Sequence, residues 1–168
     1  MDLVAEALFF QENQTGLFIR AEGHITAAVS TDLRELILDR LAKAPPPPFL
    51  GVDLSACDYM DSTFMGLLVG FHKRFRSLTG GALTVLRPTS ECTKLLSGLG
   101  ILKLMTVVTG ETPTSPDTWI GLKSKQNPQA EILLNAHRNL SELSPENAKK
   151  FSTLETVLER QVDKRDPS

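Results

Sequence analysis

Residues 52–63, with the sequence VDLSACDYMDST, connect a short apolar segment to a long amphipathic one. Residues 49–54 show little alternation of polar and apolar side chains, which is typical of a strand buried in the middle of a covered sheet. Downstream, apolar residues recur at helical spacing, at Phe64, Leu68, Phe71, Phe75 and Leu78. The segment therefore predicts a buried strand that runs into the N-terminus of an amphipathic helix.

Outward from this unit, strands and helices alternate. Residues 3–10 and 16–21 predict two strands joined by a polar turn. Asp32 and Glu35 can cap a helix that runs to about Ala44, where four prolines must end it. Beyond the central helix, the sequence predicts a strand at 82–86, a helix from Pro88 to Gly98 and a last strand at 102–108. This order predicts an α/β fold with a mixed, mostly parallel sheet of about five strands flanked by helices.

The C-terminal third has a different composition. Residues 1–109 form the predicted α/β domain, and residues 110–126, rich in Thr, Pro, Ser and Gly, read as a linker. Asn127-Pro128 and Ser144-Pro145 each place a capping side chain before a proline at the first helical position. We therefore expect a two-helix extension at 127–163 and a frayed tail at 164–168. Two short helices cannot bury their apolar faces alone, so they must pack on the domain, on a second copy or on a partner.

Composition excludes several classes of function. The formal net charge is −2, which does not provide the basic surface of a nucleic-acid binder, and the cluster of Lys73, Arg74 and Arg76 is typical of a solvated helix face. No basic leader or long apolar run is present at the N-terminus or elsewhere, so we expect a cytoplasmic protein without membrane insertion. Cys57 and Cys92 lack metal-type spacing and are expected to be reduced thiols, with at least one buried. We expect no metal site and no cofactor.

Ser62 is placed near the start of the central helix, where backbone amides lack helical partners. Taken by its spacing alone, either Asp61 or Ser62 could serve simply as the helix cap. The residues therefore leave a structural role and a functional role open at this point.

A family resemblance favours the functional role. Asp53-Leu54-Ser55 followed by Tyr59-Met60-Asp61-Ser62-Thr63 resembles the core motif of the STAS domain, the family of bacterial anti-sigma factor antagonists. The resemblance extends to the strand–turn–strand opening, to Glu22-Gly23-His24 as a turn before the first helix, and to Leu99-Gly100-Ile101. Members often have Gly-Leu-Gly after the Ser/Thr pair, where this chain has Phe64-Met65-Gly66. The resemblance implies that Ser62, which follows the aspartate, is the phosphate acceptor.

The same resemblance implies the partners. The chain would bind a protein serine kinase that acts as an anti-sigma factor while Ser62 is unphosphorylated, and a serine phosphatase would reset it. The expected partner-binding residues are Asp61, Ser62, Thr63, Gly23 and His24. A phosphate adds about −1.5 to −2 charges, which a helix N-terminus tolerates, so the switch is expected to act on affinity and to leave the fold intact. With Asp58 nearby, a partner would then face a clustered negative patch.

Three other functions are weighed against this one. An enzyme would need a base beside Ser62, and no histidine occupies a predictable loop position near it, so we expect no catalysis. STAS domains also act as non-phosphorylated subunits that regulate membrane transporters through an ATPase, although the Ser-Thr pair after Asp61 favours the phosphorylated switch. A scaffold that forms a homodimer through the C-terminal helices is the third alternative.

Overall fold

The computed structural model describes residues 7–110, 118–122 and 129–165 of the chain. Within these ranges six strands form one sheet in the order β5-β4-β3-β2-β1-β6. The strands are β1 (Ala7–Asn13), β2 (Gly16–Ile25), β3 (Leu50–Met60), β4 (Thr84–Leu86), β5 (Thr106–Val108) and β6 (Ile120–Leu122). The α-helices are α1 (Ser30–Leu41), α2 (Ser62–Thr79), α3 (Ser90–Gly98), α4 (Ala130–Ser141) and α5 (Pro145–Arg165).

The strand pairings confirm the predicted mixed α/β fold. Strands β2, β3, β4 and β5 pair in parallel, while β1 lies antiparallel to β2 and to β6. The sixth strand was not expected, because Ile120–Leu122 falls in the predicted linker. Its backbone groups pair with the edge strand β1, where Phe10 lies opposite Ile120. The side chain of Ile120 is 56% exposed. The linker residues 111–117 and 123–128, including the predicted Asn127-Pro128 cap, lie outside the described residues.

Strands β2 and β3 are longer than predicted. Glu22-Gly23-His24 forms part of β2 and is not a turn, because β2 pairs with β3 as far as Ile25 opposite Met60. The register shifts between Gly23 and His24, and Gly23 has a φ of 75°, which a glycine adopts without strain. The extra length of β3 brings its last residue, Met60, to within two residues of α2.

Helix α1 begins earlier than predicted. A 3-10 turn at Ala27–Val29 leads into α1 at Ser30, and the position before the helix is Val29, which makes no side-chain cap hydrogen bond, so Asp32 is not the cap. The turn already arranges the backbone for the helix, and the hydroxyl of Ser30 donates to the carbonyl of Thr26 at 3.0 Å. The helix ends at Leu41, three residues before the predicted end.

Helix α2 is buried on two sides. Of its predicted apolar stripe, Phe64, Leu68, Phe71 and Phe75 lie in the core against the sheet, whereas Leu78, in the last turn, is 37% exposed. Residues off that stripe are also buried, among them Met65, Leu67 and Val69. The reason is that α4 packs on the side of α2 away from the stripe, which leaves α2 in the middle of the protein.

The two C-terminal helices pack on the α/β core. Ile132, Leu140 and Phe151 belong to the main hydrophobic core. The amide of Asn147, itself buried, donates to the carbonyls of Leu99 and Leu140 at 2.9 Å each. The described part of the predicted tail shows α5 reaching Arg165, and residues 166–168 lie outside the described residues. The helices therefore share their core with the α/β domain.

The predicted cap at Ser144 is confirmed. The hydroxyl of Ser144 accepts a hydrogen bond from the backbone amide of Asn147 at 3.0 Å, and Pro145 is the first residue of α5. A proline at that position loses no hydrogen bond, since the first helical amides have no partner within the helix.

A buried carboxylate ties three strands together. The side chain of Asp53 on β3 is 2% exposed and pairs with Arg20 of β2 at 3.1 Å and with Arg87, just after β4, at 2.9 Å. Burial alone would raise the pKa of Asp53, but hydrogen bonds from Ser55 and the Arg87 ion pair outweigh it and hold the pKa below its usual value. Asp53 is therefore charged in the folded protein at neutral pH and fixes the middle of the sheet.

Candidate functional site

Asp61 is the cap of α2, and Ser62 is the first residue of the helix. One carboxylate oxygen of Asp61 accepts from the backbone amide of Phe64 at 2.9 Å, and the other accepts from the amide of Ala27 at 2.7 Å. The backbone amide of Asp61 donates to the carbonyl of Ile25 at 2.9 Å. Asp61 thus joins the start of α2 to the end of β2, and the cap does not require the hydroxyl of Ser62.

The hydroxyl of Ser62 meets a histidine from the C-terminal extension. Its Oγ lies 2.8 Å from Nε2 of His137 on α4, and the other ring nitrogen, Nδ1, lies 2.7 Å from the carbonyl oxygen of Leu133. A carbonyl can only accept, so Nδ1 carries the proton. In the neutral ring Nε2 is then the acceptor, and the hydroxyl of Ser62 donates to it.

No histidine was expected near Ser62 from a predictable loop position, and the histidine that lies there comes from a helix, α4. His137 is 75 residues away along the chain, and only the packing of α4 on α2 brings the two together. The sequence does hold one signal. His137 lies between Ala136 and Leu140 on the predicted apolar face of the helix, and it is 2% exposed. A histidine on a buried face requires a polar partner, and here Ser62 supplies it.

Two glycines on α2 allow α4 to approach this closely. A Cβ atom on Gly66 would lie 2.6 Å from the carbonyl carbon of Ala136 and 2.9 Å from its Cα. A Cβ on Gly70, one turn later, would lie 2.9 Å from Nδ2 of Asn139. Any larger residue at position 66 would push the backbone of α4 away from α2. The glycine at 66 therefore sets the helix spacing that places His137 on Ser62.

On its other side Ser62 faces a cleft of about 380 Å³. The end of β3, the start of α2, helix α3 and the first turns of α5 form its walls. Its lining residues are Tyr59, Met60, Asp61, Ser62, Met65, Lys94, Leu95, Gly98, Leu99, Lys150 and Phe151. A phosphate on Ser62 would thus have a volume to occupy, with two lysines at its walls.

The charges around Ser62 differ from those predicted. Of the two carboxylates expected to form the negative patch, Asp61 lines the cleft and Asp58 does not. Lys94 and Lys150 do line it. The cleft that an anion on Ser62 would enter is therefore lined by cationic side chains as well as by Asp61.

The structure separates the other predicted partner-binding residues into two groups. Thr63 is 4% exposed and Gly23 is buried within β2, so neither of these two residues lies at the protein surface. His24 is exposed and stacks on Tyr59, with ring centroids 4.6 Å apart and an angle of 22° between the planes. Since Tyr59 also lines the cleft, His24, Ser62 and Asp61 lie around one surface of the protein.

The two cysteines lie near this surface but inside the core. Cys57 and Cys92 are both free thiols and fully buried. The interaction with the neighbouring Cys57 thiol lowers the pKa of Cys92 to about 7, and the same interaction raises the pKa of Cys57. They face each other between β3 and α3, and their burial separates them from the cleft.

Within the described ranges, no group of three or more histidine, cysteine or acidic side chains is placed to hold a metal ion. No helix in the same part of the chain is long and apolar enough to cross a membrane.

Comparison with known proteins finds a family model that matches part of the chain, and solved structures with a similar fold. The family model described as "STAS domain" matches residues 9–115. A crystal structure of an anti-sigma factor antagonist from Mycobacterium paratuberculosis is 18% identical with a TM-score of 0.53, and the match covers 67% of this chain and 90% of that one. The anti-sigma factor antagonist SpoIIAA in its unphosphorylated form is 19% identical with a TM-score of 0.49, over 60% of this chain and 88% of that one. No curated protein matches the sequence.

Proposed function

The chain belongs to the STAS domain family, and from this premise we propose that it is a partner-switching regulator controlled by reversible phosphorylation of Ser62. In its unphosphorylated form it binds a protein serine kinase that also acts as an anti-sigma factor. Phosphorylation of Ser62 releases that partner, and a serine phosphatase restores binding. In this proposal the chain acts through binding, as an anti-sigma factor antagonist does.

The observation that carries the proposal is the position of Ser62. It is the first residue of α2, it is only half-buried, and it opens onto the cleft. Because Asp61 caps the helix, the hydroxyl of Ser62 can be modified without loss of the cap. The unpaired amides of the helix start favour an anion there, so phosphorylation is compatible with the fold.

The surface around Ser62 supports a change in affinity. A phosphate on Ser62 would add about −1.5 to −2 charges to the cleft that Asp61, Lys94 and Lys150 line. A partner whose surface fits the neutral serine would have to remove water from the charged phosphate. Otherwise it would lose its contact with the two lysines. Exposed His24 and Tyr59 supply the rest of the docking surface.

Mass spectrometry of the chain isolated from its native cells tests the proposal directly. We expect phosphate on Ser62 and none on the Ser62→Ala variant, while Ser97→Ala, at an exposed position of α3, should retain it. Affinity purification should recover a serine kinase with the unphosphorylated chain and lose it with the phosphorylated chain. Recovery of a transporter ATPase, with Ser62 unmodified under all growth conditions, would contradict the proposal.

Self-association through the C-terminal helices is a separate part of the proposal. Leu154 and Val157, three residues apart on α5, are 41% and 45% exposed, and neighbouring exposed apolar residues are typical of an interaction surface. Light scattering should give a dimer for the unchanged chain and a monomer for Leu154→Lys. The neighbouring exposed variant Thr153→Lys should remain a dimer, and a monomeric unchanged chain would refute this part.

A further inference from the structure

The family match ends at residue 115, yet the side chain that is hydrogen-bonded to the hydroxyl of Ser62 comes from beyond it. His137 lies on α4, and α4 is held against α2 by the close contact at Gly66. Additional fixed points hold the helix: Lys73 bonds to Glu142, and the amide of Asn139 donates to the carbonyl of Gly66 at 3.4 Å. The extension therefore contributes a fixed residue to the site.

The arrangement at His137 is that of a general base with its orienting partner. The carbonyl of Leu133 accepts the proton of Nδ1 and thereby holds the lone pair of Nε2 toward Ser62. An imidazole in this tautomer, hydrogen-bonded to a serine hydroxyl, can take the hydroxyl proton when the oxygen attacks. At 2.8 Å the transfer needs no rearrangement of either side chain.

The two sides of the Ser62 oxygen have different surroundings. His137 is buried and does not line the cleft, while Ser62 does. The base thus lies behind the oxygen and the open volume lies in front, which is the arrangement required for attack on a group bound in the cleft. Lys94 and Lys150 at the walls of the cleft match the negative charge of a phosphoryl group.

We propose that His137 is a catalytic residue for the modification of Ser62, so that the C-terminal extension completes a Ser–His nucleophilic site. This inference rests on the proposed role of Ser62 as phosphate acceptor. Oγ of Ser62 forms a bond to the terminal phosphorus of a nucleoside triphosphate held by the kinase, and the bond from that phosphorus to its bridging oxygen breaks. The nucleoside diphosphate leaves, and the proton of the hydroxyl passes to Nε2 of His137, which becomes an imidazolium beside the new phosphate.

A biotinylated fluorophosphonate tests this chemistry on the full chain without a kinase. Oγ of Ser62 would bond to phosphorus, fluoride would leave, and His137 would again take the proton. We expect peptide mapping to find the label on Ser62 and none in Ser62→Ala. His137→Gln, which can keep a hydrogen bond but is not a base, should slow labelling by about a hundredfold or more.

Two further variants separate catalysis from folding. Arg138→Gln, at the neighbouring exposed position of α4, should label at the unchanged rate. His137→Ala should label as slowly as His137→Gln, because both lack the base, whereas a purely structural histidine would leave His137→Gln close to the unchanged rate. Circular dichroism verifies that each variant is folded.

The inference is overturned if Ser62 stays unlabelled or if folded His137→Gln labels at the unchanged rate. These outcomes are independent of the proposed function. A chain that reacts at Ser62 but never carries phosphate in its cells would refute the proposed function alone. Phosphate on Ser62 in cells, at equal levels in the unchanged chain and in His137→Gln, would refute this inference alone.

Discussion

Replacement of Gly66 by alanine tests the contact on which the site depends. Gly66 lies inside α2, and alanine at an interior helical position normally stabilises a helix by about 1 kcal/mol relative to glycine. If α4 did not pack on α2, Gly66→Ala would therefore raise the free energy of unfolding. The packing seen here predicts the opposite sign.

The size of the effect follows from the geometry at Ala136. The new Cβ would lie 2.6 Å from the carbonyl carbon of Ala136, whereas carbon atoms in contact are separated by about 3.5–4.0 Å. The obstacle is backbone, so α4 itself must move by about 1 Å, and overpacking of this kind costs about 1–3 kcal/mol. The movement also stretches the bond from Ser62 to His137, worth about 1 kcal/mol. Once the gain of about 1 kcal/mol in helix propensity is subtracted, we expect the free energy of unfolding to fall by about 1–3 kcal/mol.

Urea denaturation followed by circular dichroism measures this loss. Two glycine variants serve as controls. In Gly70→Ala the new Cβ contacts only the side chain of Asn139, which can move. The free energy of unfolding should therefore change little. Gly98→Ala on α3 meets no atom within 4 Å and should be neutral or slightly stabilising. If Gly66→Ala proved as stable as the unchanged chain or more stable, α4 would not lie on α2, and the account of the Ser62 site would fail.

Three further predictions concern other parts of the same framework. Asp61→Ala should lower the free energy of unfolding by about 2–4 kcal/mol, because two backbone amides lose their acceptor. Asp61→Asn should lower it by less. A change below about 0.5 kcal/mol for Asp61→Ala in urea denaturation would refute the role of Asp61. Because the pKa of Asp53 is lowered by folding, its contribution to stability is present above its unfolded pKa of about 3.9 and lost as the pH falls through the lower folded value. Stability measured from pH 6 downward should therefore fall more steeply for the unchanged chain than for Asp53→Asn, and parallel curves would contradict this. Finally, Cys57 and Cys92 should react with a disulfide reagent such as DTNB only after unfolding. Both thiols are buried, so the reagent cannot reach them although the pKa of Cys92 is lowered. Rapid reaction of the folded chain would show that the core opens there.

The sequence by itself determined the fold class and the position of Ser62. The apolar run at 49–54 and the helical stripe from Phe64 to Phe75 are local patterns whose period differs between strand and helix, so they can be read without a structure. Ser144 and Pro145 marked the start of α5 because capping depends on a few adjacent residues. Asp61 or Ser62 as the cap of α2 was likewise a local alternative, and the hydrogen bonds from Phe64 and Ala27 resolved it in favour of Asp61.

Tertiary structure alone decided what surrounds Ser62. His137, Lys94 and Lys150 come from three different helices, and their meeting depends on how those helices pack, which no short-range pattern records. The same holds for Ile120–Leu122, whose three residues become a strand only because the edge of β1 is available to them. Gly66 illustrates the reason most clearly. In the sequence it is one glycine inside a helix, but in the fold its missing side chain sets the distance between α2 and α4 and so places a histidine on the serine.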